Sequence, residues 1–212
     1  MEFWQWLILV FSAVAILILI VLFYAPLRRI YYEKNLIKIY YRNVKKVAYY
    51  KDFYLINKLV LNVDENQQIK IDHLLFGDKY IYVILDKFYP GKLTGKVDDE
   101  SLLFAFGHGR RQKTPMVVDN PLKQNRTRIT KLSLLTGLDY DLFVSIVLVN
   151  DDGDFLSIKN EKKLDYIIQR KYLYKLIDNI EKRPIAPINV QELAKAVQSI
   201  ASLNQRDVGK KR

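Results

Sequence analysis

The sequence has no cysteine and only two histidines, His73 and His108. The first absence excludes disulfide bridges, thiolate metal centres and a cysteine nucleophile. The second excludes a histidine-rich metal cage. Any metal held by this chain must be a hard cation on carboxylate oxygens. A third lack is local: no charged residue occurs from Phe3 to Leu27. No internal repeat is visible.

A helix rising about 1.5 Å per residue crosses a hydrocarbon core of about 30 Å within that uncharged stretch. Trp4, Trp6 and Tyr24 lie at its ends, where amphipathic rings favour the interface. The stretch is apolar on every side, unlike a core helix. Only Glu2 precedes its apolar run, whereas a cleaved signal peptide carries positive charge there. It reads as a retained transmembrane anchor. Arg28, Arg29, Lys34, Lys38, Arg42, Lys45 and Lys46 follow it, and no basic residue precedes it. That asymmetry predicts a single pass through the cell membrane, with the N-terminus outside and the rest in the cytoplasm. Interleaved with Tyr31, Tyr32, Tyr40 and Tyr41, the same residues suit anionic lipid headgroups. The net charge of +11 favours phosphate-rich partners, either nucleic acid or an anionic membrane face.

The chain divides on this reading into an anchor with its basic flank (residues 1–29), a basic and aromatic helical neck (30–50), one domain (51–205) and a basic tail (206–212). "KDFYLINKLVLN" is expected to continue the neck as helix, with "VDENQQ" as a polar turn after it. Two strands follow, Lys70 to Phe76 and Tyr80 to Asp86, rich in aliphatic and aromatic residues. Gly91 and Gly95 mark turn or bulge positions. "SLLFAF" and "MVVD" read as strands around a basic loop, "GHGRRQKTP". Pro121, after Asp119 or Asn120 as cap, opens a helix. "LFVSIVLVN" is apolar enough to be a central strand. "LDYIIQRKYLYKLIDNIEKRP" supplies a short strand or helix start and then a helix stopped by Pro184. Asn189 and Glu192 are spaced as a capping box for a last helix. The fold class is α/β (α+β), a sandwich of strands and helices.

Three motifs in this order resemble the nuclease-related domain family, a branch of the PD-(D/E)xK, restriction-endonuclease-like superfamily. They are "IDHLLFG", "YVILDKFYPGKLTG" and "NPLKQN". The resemblance implies a mixed sheet flanked by helices. It implies acidic ligands for Mg²⁺ and a lysine that stabilises charge or orients water during phosphodiester hydrolysis. Asp72 is then the first ligand, Lys87 the lysine, and Gln124 a contact to substrate or metal-bound water. Arg110, Arg111, Lys113, Lys123, Arg126 and Arg128 extend a basic face for nucleic acid.

The sequence departs from the pattern at Leu85, which stands where the family has glutamate. Asp86 is the candidate replacement, as catalytic acid and metal ligand. An even loop between the two strands puts Asp72 opposite Leu85 and beside Lys87. A three-residue loop puts it opposite Ile84, on the Asp86 face. A bulge at Leu85-Asp86 re-aims Asp86 and keeps Lys87. The expected protein is a membrane-anchored nuclease-like domain that contacts nucleic acid. Its Mg²⁺ site is weak or absent, and its hydrolysis weakened or lost. The alternative is a non-catalytic tethered module for nucleic acid, anionic lipid or protein.

Overall fold

A computed structural model describes residues 3–64, 67–107, 114–155, 158–159 and 164–204. By contacts the chain separates into two units, Met1–Ile39 and Tyr40–Arg212. The first is helical and belongs to α1 (Phe3–Lys51). Its Phe3–Tyr24 portion has a mean hydropathy of 3.2 and buries no residue, and it is long and apolar enough to cross a membrane.

The second unit begins with the last turns of α1. These bury Tyr40, Val44, Val47 and Ala48. The helix ends where Asp52 turns left-handed (φ 55) and the Phe53 N–H reaches back to the Ala48 carbonyl at 2.9 Å. A five-stranded mixed sheet follows, in the order β1-β2-β3-β7-β9. Its strands are β1 (Tyr54–Asp64), β2 (Gln67–Phe76), β3 (Ile81–Asp86), β7 (Phe143–Val149) and β9 (Asp165–Gln169). β1, β2 and β3 are antiparallel neighbours, and β3, β7 and β9 run parallel. β7 lies between β3 and β9 with every residue buried, as its continuous apolar run requires. A second sheet has the order β6-β5-β4-β8, from β4 (Gly91–Lys96), β5 (Ser101–Phe106), β6 (Met116–Asp119) and β8 (Ile158–Lys159). α2 (Pro121–Thr136), α3 (Leu173–Glu181) and α4 (Val190–Ser202) complete the fold. The protein is therefore mixed α+β, with a mixed sheet flanked by helices.

Two segments differ from the sequence expectation. "KDFYLINKLVLN" is mostly strand, not helix. Ile56 and Leu59 are both in the core, which imitates a helical spacing of three. The spacing arises because Lys58 has φ 55 inside β1. The core cluster takes Ile56, then Leu59 and Leu61, from β1, and Ile69 and Ile71, then Leu74 and Phe76, from β2. Lys58 lies between the pairs Asn57–His73 and Leu59–Ile71, hence opposite Asp72. The in–out alternation of both strands breaks at this position. The second difference is Gly91, which is the first residue of β4, whereas Gly95 has the positive φ (141) expected of a turn or bulge glycine. A Cβ on Gly91 would lie 2.2 Å from the Ala105 carbonyl oxygen, so glycine there permits close approach of β5.

α2 is fixed from both ends and from beneath. The Asn120 side chain accepts from the Leu122 N–H (3.0 Å) and donates to the carbonyls of Val97 (2.9 Å) and Asp99 (2.8 Å). Gly137 closes the helix at φ 69. Leu122, Asn125, Ile129 and Leu132 form its buried stripe. Asn125 donates from that stripe to the Val83 carbonyl (2.8 Å) and to Ser145 Oγ (3.0 Å). The flank of α2 beside this stripe is thereby held at a fixed position over β3.

Candidate functional site

The β2–β3 hairpin sets which acids can meet. Phe76 pairs with Ile81 and His73 with Ile84, leaving a four-residue loop from Gly77 to Tyr80. This even loop continues the register to Asp72 opposite Leu85. Asp72 Oδ2 accepts the backbone N–H of Asp86 at 3.0 Å, so this carboxylate caps a donor where the ladder ends.

The Asp86 side chain is directed elsewhere. Its Oδ2 is 2.9 Å from His73 Nε2, and the two side chains are only 8% and 1% exposed. Tyr41 of α1 stacks on the His73 ring at 6.3 Å. Burial pushes the Asp86 carboxyl above the ordinary carboxylate range. The His73 hydrogen bond and charge oppose this, and the Asp72 charge adds to it. Asp86 therefore meets Asp72 through its peptide N–H, while its carboxylate is committed to histidine. Leu85 is 4% exposed and packs with Val97, Leu122, Val147 and Val149. The position where the family pattern has an acid is part of an apolar core.

Lys87 continues the strand, its N–H donating to the Leu148 carbonyl (2.9 Å). Its own carbonyl accepts from the Tyr40 hydroxyl (3.0 Å). Burial pushes the Lys87 ammonium below the usual lysine value, and the nearby Arg128 charge adds to the effect; Asp72 and Asp119 oppose it. Arg128 is likewise lowered by burial and supported by Asp72. Its guanidinium stays charged regardless. Arg128 Nη1 is buried and has no hydrogen-bond partner among the described residues. Gln124 lies one turn earlier on α2 and donates from Nε2 to Asp119 Oδ2 at 3.3 Å.

The structure thus brings Asp72, Lys87 and Arg128 within electrostatic reach of one another, with Gln124 joined to them through Asp119. Other candidates lie apart from this group. Arg126 is engaged by Asp165 (2.8 Å) and Asp98 (2.9 Å), which ties α2 to β9 and to the β4–β5 turn. Lys123 pairs with Glu100 at the surface. Arg110, Arg111 and Lys113 fall outside the described residues. Asp119 is the member that sequence reading passed over, because beside Asn-Pro it reads as a rival helix cap. Its end-of-strand position, five residues before Gln124, is the signal that points to it. Among the described residues, no three His, Asp or Glu side chains converge as a metal-binding group.

No curated protein and no solved structure matches the chain. A family model described as "Nuclease-related domain" matches residues 30–150, more than half of the sequence. That span contains the hairpin with Asp72 and Lys87, strands β4, β5 and β6 of the second sheet, and the whole of α2. The chain belongs to the nuclease-related domain (NERD) family.

Proposed function

We propose that this protein is a membrane-anchored, cytoplasm-facing nuclease-like domain that engages nucleic acid and whose metal-dependent hydrolysis is weakened or lost. One observation carries the second half of this reading: Leu85 is absorbed into the core while Asp86 is bound to His73. Asp72 is then the one carboxylate of the hairpin left beside two cations, with Asp119 at the exposed rim bonded to Gln124. That donor set is poor for Mg²⁺, which binds through carboxylates and water and gains nothing from neighbouring positive charge. The same set suits phosphate oxygens. Lys87 supplies a point charge, Arg128 a planar fork and Gln124 an amide at the edge.

The test is a paired assay on the full chain in detergent, using single-stranded and duplex DNA and RNA with Mg²⁺ or Mn²⁺. Cleavage is expected at the level of Lys87→Ala. Binding is expected to weaken steeply with salt. On a single strand the log–log slope is about −0.7 or steeper, at about −0.7 per contacted phosphate. Turnover in the wild type that Asp72→Ala removes overturns the weakened-site reading. Salt-insensitive binding overturns the phosphate reading.

The orientation rests on the basic residues after Tyr24 and has its own test. Because the chain has no cysteine, single cysteines report topology without background. In intact cells, a membrane-impermeant maleimide is expected to label Glu2→Cys and spare Lys195→Cys until the cells are lysed. The reverse pattern overturns the orientation.

A further inference from the structure

The nuclease-like reading leaves open what holds the substrate once the second acid is lost, and the following rests on that reading. Gln124 and Arg128 are spaced i, i+4 on α2, so they occupy one flank of the helix. That flank is fixed over β3 by the Asn125 bonds to Val83 and Ser145. Lys87 projects from the end of β3, and the Arg128 charge reaches it. Two cations that repel one another are thus carried by a helix and a strand that are bonded together.

The surrounding acids do not neutralise this pair by direct bonding. Asp72 spends one oxygen on the Asp86 N–H, and no hydrogen bond joins it to Arg128 among the described contacts. Asp119 lies at the exposed rim and bonds to Gln124. Arg126, the other guanidinium on α2, is ion-paired with Asp98 and Asp165, although its Nη2 also lacks a hydrogen-bond partner among the described residues. A guanidinium with an N–H left unbonded, in the field of a second cation, is complementary to a group with several anionic oxygens. A divalent cation in the same place would meet repulsion from both.

We infer that Lys87 and Arg128, with Gln124 at the edge, form a metal-independent binding site for a phosphate group. Arg128 is the residue that converts a site of metal-ligand descent into an anion site. Its fork binds two phosphate oxygens while Lys87 takes a third. The phosphate is either the terminal monoester of a nucleic acid or a diester within its backbone. The two are distinguished by the probe.

Fluorescence anisotropy of a short single-stranded oligonucleotide, in EDTA and moderate salt, measures the site on the full chain in neutral detergent. Binding is expected without metal. Arg128→Gln and Lys87→Met each weaken it about tenfold or more, as loss of a charge-assisted hydrogen bond does. Lys195→Gln removes one exposed charge on α4 and changes affinity less than twofold. A preference for the 5′-phosphorylated probe over the 5′-hydroxyl probe assigns the terminal monoester; equal binding assigns the backbone. A second measurement needs no variant: inorganic phosphate in EDTA is expected to slow acetylation of Lys87 in the wild-type chain. Binding that EDTA abolishes and Mg²⁺ restores overturns the inference and leaves the nuclease-like reading standing. No binding under either condition overturns both. Equal losses in all three variants, or no protection of Lys87, overturn the inference alone.

Discussion

Asp86→Ala is expected to destabilise the domain by about 3 kcal/mol or more, while Asp86→Asn costs far less. The asymmetry follows from what each change leaves behind. Alanine removes the partner of a histidine that is 1% exposed, leaving a buried polar ring with nothing to bond. Asparagine keeps an acceptor for His73 Nε2 and discards a charge that burial opposes. For a domain of this size, about 3 kcal/mol corresponds to a fall in Tm of roughly 6–12 °C. Thermal unfolding of the two variants in the same detergent is the measurement. Near-equal effects would show that the pair contributes little.

The same pair gives a pH dependence with a definite sign. Burial raises the Asp86 carboxyl above its unfolded value; the charge of Asp72 adds to the rise and His73 opposes it. Between the ordinary carboxylate value and the raised native one, the folded chain holds more protons than the unfolded chain. Stability from this group therefore falls as pH rises through that window. Below the window the penalty is absent, and above it the penalty is complete. Measured as a difference from Asp86→Asn, wild-type stability is expected to decline as pH rises through the window and then level off. A difference that grows in favour of the wild type with rising pH contradicts the assigned cause.

Much of this arrangement was legible before the structure. The start of α2 was readable because Asn-Pro carries its own mechanism: a side-chain cap and a residue with no N–H to satisfy. β7 was readable because a strand covered on both faces has nowhere to place polar residues. The β1 segment was not, because a left-handed Lys58 shifts the alternation and makes a strand look helical. Gly91 misled for a related reason. Its requirement is for space against Ala105, which a single chain segment does not reveal.

The site was legible in parts. The sequence pattern assigned Gln124 to the site and Arg128 to a basic face but could not show how deep each lies. The fate of Asp86 turned on whether the loop after Phe76 has an odd or even number of residues. Its side chain turned on His73, the neighbour of the very residue it was expected to assist. A local pattern identifies the types of residue available for chemistry. Parity, strain and packing decide which of them share a cleft.

Leu85→Glu is the change expected to do most to function. Its effect should be visible first in stability. Position 85 is 4% exposed among Val97, Leu122, Val147 and Val149, so glutamate forfeits roughly 2 kcal/mol of apolar burial and incurs a desolvation cost as well. Without a divalent ion the variant should unfold well below the wild type. The register places residue 85 opposite Asp72, however, so the new carboxylate and Asp72 are positioned to share a cation. Mg²⁺ should then stabilise the variant, by about 2.7 kcal/mol at a hundredfold excess over its Kd, and leave the wild-type Tm unchanged. That linkage reads metal binding without reference to turnover. Mg²⁺-dependent cleavage is expected to accompany it and to disappear when Lys87→Ala is added. If Mg²⁺ leaves the Leu85→Glu variant as unstable as before, the loss of the acid was not what disabled the metal site. Asp72 would then be held by the Asp86 N–H in a position that cannot serve a cation.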